Sequence, residues 1–376
     1  MTRVLLAPDK FKGTLTAEQV ATHVAIGLRS VLPEVEVVVV PVADGGDGTL
    51  AAAVGAGFSR VSLTATGPTG APVATAYGIR GPDAVVELAE VSGLAQLPGG
   101  HLAALTATSR GTGELIAAAL DAGARRVVVG IGGSACTDGG AGLLEALGVR
   151  VLTASGEPVT PGGSGLAAAA SLDLSGLHPA VADAEIVVAC DVDNPLTGPS
   201  GAAAVYGPQK GASVQDVAAL DAALAHFADL VAAATGTERR DDPGAGAAGG
   251  VGFGLVSVAG ATMRPGAELV FELTGLAAAM AGVDLVVTGE GSLDEQTLNG
   301  KAPAAVAALA RQLGVRVVAV AGRVLLDAEQ TEAAGITGTY ALLDVASSTH
   351  QAMTSPGPLL EQLGARIAVD VLGDGS

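Results

Sequence analysis

Short aliphatic runs alternate with amphipathic stretches along this chain, and the rhythm predicts strands and helices in turn. Residues 3–7 form an apolar run of strand length, and Thr16-Ala17-Glu18-Gln19 has the spacing of a capping box that opens a helix to about Ser30. Pro33 closes that segment. Residues 35–40 then read as a second strand, whose valines suit a parallel strand covered on both faces. Strand, helix, strand is one βαβ unit. The same rhythm returns late in the chain, with strands at 283–288 and 315–320, a helix at 302–313 between them, and a further strand at 336–343.

The middle of the chain differs. Residues 60–90 read as short strands punctuated by Gly67-Pro68, Gly70 and Gly81-Pro82. Helices are expected at about 113–122, 140–147 and 214–234, and strands at 126–130 and 185–189. The pattern predicts an α/β protein: a discontinuous, Rossmann-like parallel-sheet domain (1–62 plus 282–376) and a larger inserted α/β domain (63–281). Residues 235–250, with charges, Pro243 and five glycines, read as a linker or a mobile active-site loop.

Composition narrows the picture. Hydrophobic residues make up 49% of the 376 and aromatics 2%, so the cores must be aliphatic. A net charge of -19 argues against nucleic acid or an anionic membrane as partner, and it requires any anionic ligand to meet a locally positive site. No apolar stretch reaches about 18 residues free of Gly, Pro or charge, so no membrane span is expected. Cys136 and Cys190 have neither ligand spacing nor a disulfide framework, which fits a cytoplasmic protein. Five scattered histidines include no pair at metal spacing.

Lysine is scarce, four against fifteen arginines, so each remaining lysine marks a position where a compact ammonium is preferred to a planar guanidinium. Lys10, Lys12, Lys210 and Lys301 all stand in glycine-containing loops. Strand ends and helix starts are where an open α/β sheet binds phosphate. Acids recur in comparable places: Asp44 and Asp47 after the second strand, Asp191 and Asp193 in Cys190-Asp191-Val192-Asp193-Asn194-Pro195, and Glu290 and Asp294 in Thr288-Gly289-Glu290-Gly291-Ser292-Leu293-Asp294. Carboxylates so placed suit Mg²⁺ or a proton acceptor. Gly130-Ile131-Gly132-Gly133-Ser134 follows a strand and precedes a helix, but no acid stands about 20 residues on, so it reads as a backbone-lined anion loop rather than a dinucleotide fingerprint. No Walker A sequence occurs.

Taken together these motifs resemble the bacterial two-domain glycerate kinase family. The resemblance rests on Asp9-Lys10-Phe11-Lys12-Gly13-Thr14, Ala43-Asp44-Gly45-Gly46-Asp47-Gly48-Thr49, Gly111-Thr112-Gly113-Glu114-Leu115, the Gly130–Ser134 segment with Asp138-Gly139-Gly140, the Cys190–Pro195 segment, Tyr206-Gly207-Pro208-Gln209-Lys210-Gly211, and the Thr288–Asp294 segment. It implies an ATP-dependent, Mg²⁺-requiring kinase of D-glycerate with a cleft between its two domains and 2-phosphoglycerate favoured over 3-phosphoglycerate as product; whether the chain is a monomer or a homodimer stays open. Within that resemblance Asp191 would be the base, with Asp193 close by, and Lys12 would neutralise the transferring phosphoryl. Lys10, Lys210, Lys301 and Ser292 would contact phosphate or substrate, and Arg323 would clamp the carboxylate. Asp44, Glu290 and Asp294 would hold metal or hydroxyls. Gly45, Gly46, Gly132, Gly133 and Ser134 would line the nucleotide. A kinase of another small hydroxy acid, a non-catalytic acid-binding protein and an NAD-dependent oxidoreductase are the competing readings.

Overall fold

The structure is a computed structural model that describes residues 2–298 and 301–373; Asn299 and Gly300, which precede Lys301, fall outside it. The chain divides into two compact units. The first comprises residues 1–44, 51–56 and 267–376, and the second 45–50 and 57–266.

The first unit is built on an all-parallel sheet in the order Gly338–Ala341, Arg316–Val324, Leu285–Leu293, Arg3–Pro8, Glu36–Val39. Side chains alternate across a strand, and here the alternation separates two cores. Val4, Leu6, Leu285 and Val287 pack with the helices Ala17–Val31 and Pro356–Leu372. Leu5, Ala7, Val286, Val317 and Ala319 pack with Ala302–Leu313. Both faces are therefore covered, as an all-parallel sheet requires. The capping box at Thr16 forms as its spacing predicts, Thr16 and Gln19 each accepting the other's backbone N–H. The valine run is a correction. Glu36–Val39 is an edge strand, half-exposed rather than buried on both faces, because it pairs with Arg3–Pro8 alone.

The second unit carries a six-stranded sheet in the order Thr262–Arg264, Glu185–Ala189, Arg126–Gly130, Asp83–Glu87, Pro72–Arg80, Ser59–Thr66. The first four strands run parallel and the last two add antiparallel. Among the described residues one helix, Val214–Thr235, is long and apolar enough to cross a membrane by length and composition. Leu220, Leu224, Phe227 and Val231 on that helix belong to the core of this unit, which accounts for its apolarity.

Residues 235–250 divide in two: 236–243 are mostly exposed and irregular, whereas 244–250 pack into the second unit rather than linking domains. The long helix stops at Thr235, and Gly244 to Ala247, Gly249 and Gly250 are buried. Gly246 N–H donates to Asn194 O at 2.8 Å and Gly139 N–H to Gly249 O at 2.9 Å. The glycines serve close backbone packing: at Gly250, with φ +92°, a Cβ would come within 2.7 Å of Gly139 Cα.

Candidate active site

In the first unit, charged groups gather at the carboxyl ends of the parallel strands, where open α/β sheets bind ligands. Phe11, 2% exposed, anchors a tight turn closed by reciprocal backbone bonds with Leu15. The exposed Lys12 rides on that turn, its backbone N beside Gly291, where a Cβ would stand 3.5 Å away. Lys10 Nζ lies 3.9 Å from Asp9 Oδ1, and Lys10 N–H donates to the same oxygen at 2.6 Å.

The strand Leu285–Leu293 continues farther than the apolar pattern predicts and contains Glu290 and Ser292 within its ladder. Glu290 Oε1 accepts from Thr297 Oγ1 at 2.5 Å, and Oε2 lies 3.9 Å from Lys301 Nζ. Lys301 is the residue before the Ala302–Leu313 helix, so its charge adds to the helix dipole rather than opposing it. An anion gains from both. Arg323 is likewise inside a strand, paired with Ser292, and its Nε donates to Ser292 Oγ at 3.0 Å. Asp294 Oδ1 accepts from Gln296 N–H at 3.0 Å, which shapes the turn into the next helix.

The carboxylates of this unit interact. Asp9 is pushed up to about 7 by burial, opposed by Lys10 and reinforced by Asp44 and Glu290. Glu290 is raised by burial, opposed by Thr297 and Lys301 and reinforced by Asp294 and Asp44. Four acids and two ammonium groups thus share one electrostatic field. No group of three or more His, Cys, Asp or Glu among the described residues forms a self-sufficient metal site. Mg²⁺ asks for less, one or two carboxylates with water and phosphate oxygens completing the shell, and the hard oxygen donors here fit that demand.

In the second unit, the segment Gly45–Leu50 runs against the carboxyl ends of the parallel strands. A Cβ on Gly45, whose φ is +85°, would meet Ala189 Cβ at 2.8 Å, and one on Gly132 would meet Gly46 Cα at 2.6 Å. These glycines are thus required by backbone-to-backbone approach, whatever else they contact. Ser134 is 6% exposed and its residue bridges to Gly93, while Gly133 O accepts from Leu94 N–H. Asp191 and Asp193 are exposed just beyond the strand Glu185–Ala189, and Asp191 Oδ1 accepts from Gly266 N–H at 2.7 Å.

Lys210 departs from the expectation of a ligand contact. It is 1% exposed, lies in the second unit and not with the other three lysines, and donates from Nζ to Cys136 O at 2.5 Å. It is an interior residue. Three buried or half-buried acids carry no role in the sequence reading, although Asp9 and Asp138 stand within its motifs. Asp9 was passed over beside its lysines. Glu87, 1% exposed, accepts from Gly48 N–H at 3.0 Å and Leu50 N–H at 2.8 Å. Asp138, 1% exposed, accepts from the backbone and side chain of Ser109 and from the Gly140 and Gly142 N–H groups. The Thr137-Asp138-Gly139-Gly140 run, an echo of Ala43-Asp44-Gly45-Gly46, was the available signal for Asp138.

Comparison with known proteins adds an independent line. The sequence model of the glycerate kinase family matches residues 4–372. A glycerate kinase of Bacillus subtilis is 42% identical over 372 residues, 98% of this chain and 97% of that one. A glycerate 2-kinase of Escherichia coli is 41% identical over 345 residues, 91% of this chain and 90% of its own. Among solved structures, one assigned to a glycerate kinase 2 of Salmonella typhimurium LT2 superposes with a TM-score of 0.86 at 39% identity, covering 99% of each chain.

Proposed function

Because the chain belongs to the glycerate kinase family and is a kinase, we propose that it transfers the γ-phosphoryl group of ATP to the 2-hydroxyl of D-glycerate in the cytoplasm. The observation that carries this reading is the first unit's charge arrangement. Lys10 and Lys301 stand at a strand end and a helix start among Asp9, Asp44, Glu290 and Asp294, and Lys12 is carried on the adjoining turn beside Gly291, in a chain whose net charge is -19. A polyanionic substrate needs such a gathering of cations, and phosphoryl transfer asks chiefly for positioning and charge neutralisation. The 2-position is supported by the name of the Escherichia coli relative.

Asp191 accepts the proton of the attacking hydroxyl as the new oxygen–phosphorus bond forms and the bond to the ADP oxygen breaks. Asp193, exposed on the same loop, adds a carboxylate that orients the acceptor. Lys12 meets the charge of the transferring phosphoryl, and Lys301 and Lys10 contact phosphate oxygens. Arg323, steadied by Ser292, binds the glycerate carboxylate through its guanidinium. Asp44, Glu290 and Asp294 are the residues that would hold Mg²⁺, which when bound neutralises nucleotide phosphate charge. Gly133 and Ser134 offer backbone and hydroxyl contacts to the nucleotide. The protein acts as a monomer or homodimer.

A coupled ADP-release assay with D-glycerate, L-glycerate and other small hydroxy acids tests the reaction. ADP release confined to D-glycerate is expected, and its absence with every acid overturns the reading. Phosphorus NMR of the product separates 2-phosphoglycerate from 3-phosphoglycerate.

A further inference from the structure

The loop that follows the strand Glu185–Ala189 presents a problem of precision. Asp191, Val192 and Asp193 are all exposed, and an exposed loop samples many positions unless its backbone is held. The structure holds it at several points. Asp191 Oδ1 accepts from Gly266 N–H at 2.7 Å, and Cys190 Sγ–H donates to Val192 O at 3.2 Å. The next residue, Asn194, is held through its side chain and its backbone alike. Its Nδ2 donates to Ser200 O at 2.8 Å, its Oδ1 accepts from Tyr206 Oη–H at 2.6 Å, and its carbonyl accepts from Gly246 N–H at 2.8 Å. Pro195 further restricts the backbone of Asn194 to extended conformations.

We propose that Tyr206 and Asn194 form a clamp that positions the Asp191–Asp193 loop for phosphoryl transfer; the proposal rests on the assignment of Asp191 made above. Tyr206 ends the helix Ala202–Tyr206, so its ring is carried by an element whose Ala202 and Ala203 are buried in the core of the second unit. Its phenol is raised by burial first and then by Cys190 and Asp193, so it remains a neutral donor at neutral pH. The direction of the bond follows from the partners. The Ser200 carbonyl can only accept, which fixes the amide nitrogen of Asn194 toward it and leaves the amide oxygen for the phenol. Tyr206 touches no reacting atom in this scheme; it is a positioning residue that acts through Asn194 on the two carboxylates.

The test uses the full-length enzyme and four variants: Tyr206→Phe, Asn194→Ala, Asp191→Asn and the double variant Tyr206→Phe/Asp191→Asn. Tyr206→Phe removes one oxygen and keeps the ring. It should lower kcat about tenfold, with KM for ATP and for D-glycerate changed by less than about twofold and the thermal midpoint close to wild type. In the Asp191→Asn background the same change should lower kcat little further, because the group being positioned is already disabled. Asn194→Ala should reproduce the kcat loss. An unchanged kcat in Tyr206→Phe, a fall that tracks the loss of folded protein, or a full tenfold effect that persists in the double variant overturns the clamp. Wild-type kcat in Asp191→Asn alone overturns the underlying assignment instead, and with it the clamp.

Discussion

Lys210 Nζ donates to the carbonyl oxygen of Cys136 at 2.5 Å from a position that is 1% exposed. Burial pulls the lysine below its ordinary range, opposed by Cys136 and Asp138. Its aliphatic stem fills core volume while its charge is a burden, so two substitutions should part company. Lys210→Ala should lose about 2–4 kcal/mol through the cavity and the carbonyl left without its donor. Lys210→Met retains the stem and should lose less than half as much. Urea denaturation at neutral pH measures both, and an alanine variant as stable as wild type removes the interior role.

Glu87 gives a pH-dependent prediction. Two backbone N–H groups favour its ionised form, yet burial dominates and pushes it up to about 7. The folded state then holds the proton more tightly than the unfolded state, whose value lies near 4.5. The stabilising contribution is complete below the unfolded value and is lost as pH rises through about 7. Glu87→Gln does not titrate. Wild-type stability measured relative to that variant should therefore fall between about pH 5 and pH 8, by up to about 3 kcal/mol. A difference that stays flat over this range contradicts the assignment.

What was legible in the sequence was what short-range chemistry decides. The capping box at Thr16 and Gln19 is closed by residues three apart, and both of its bonds form. The α/β class follows from the alternation of apolar runs with amphipathic stretches. Strand position within a sheet is a different matter, since it is set by partners distant in the chain. The valine run at Glu36–Val39 became an edge because Arg3–Pro8 is its one neighbour, a fact no local pattern contains. Burial of charge is equally nonlocal. Glu87 is enclosed by a segment near Gly48, and Lys210 by one near Cys136. Rarity singled out all four lysines, but it does not distinguish an ammonium at a strand end from one in a core. The strands expected at 283–288 and 315–320 stop short of Ser292 and Arg323, whereas the ladder between the two strands continues through that pair.

Lys12 is exposed on a turn fixed by buried Phe11, so its replacement should leave the fold intact. If its ammonium meets charge that develops on the transferring phosphoryl, Lys12→Ala should lower kcat by about 100-fold or more. Lys12→Arg should recover only part of that loss, because a planar guanidinium does not reproduce the geometry of a point charge. Steady-state kinetics with circular dichroism as the folding control makes the comparison. Near-normal turnover in the folded alanine variant removes Lys12 from the mechanism.

Asp191 provides the sharpest separation of binding from chemistry. Its Oδ1 accepts from Gly266 N–H at 2.7 Å, an arrangement that an asparagine carbonyl oxygen at the same position preserves. Asp191→Asn therefore keeps the loop anchored while removing the negative charge and the capacity to take a proton. A group that acts on the hydroxyl in the transition state should show its loss in kcat, by about 100-fold or more, with little change in the KM for ATP. A group that only grips the acceptor should raise the KM for glycerate and leave kcat intact. Steady-state kinetics with each substrate varied in turn distinguishes the two, and a change confined to the glycerate KM reassigns Asp191 to binding.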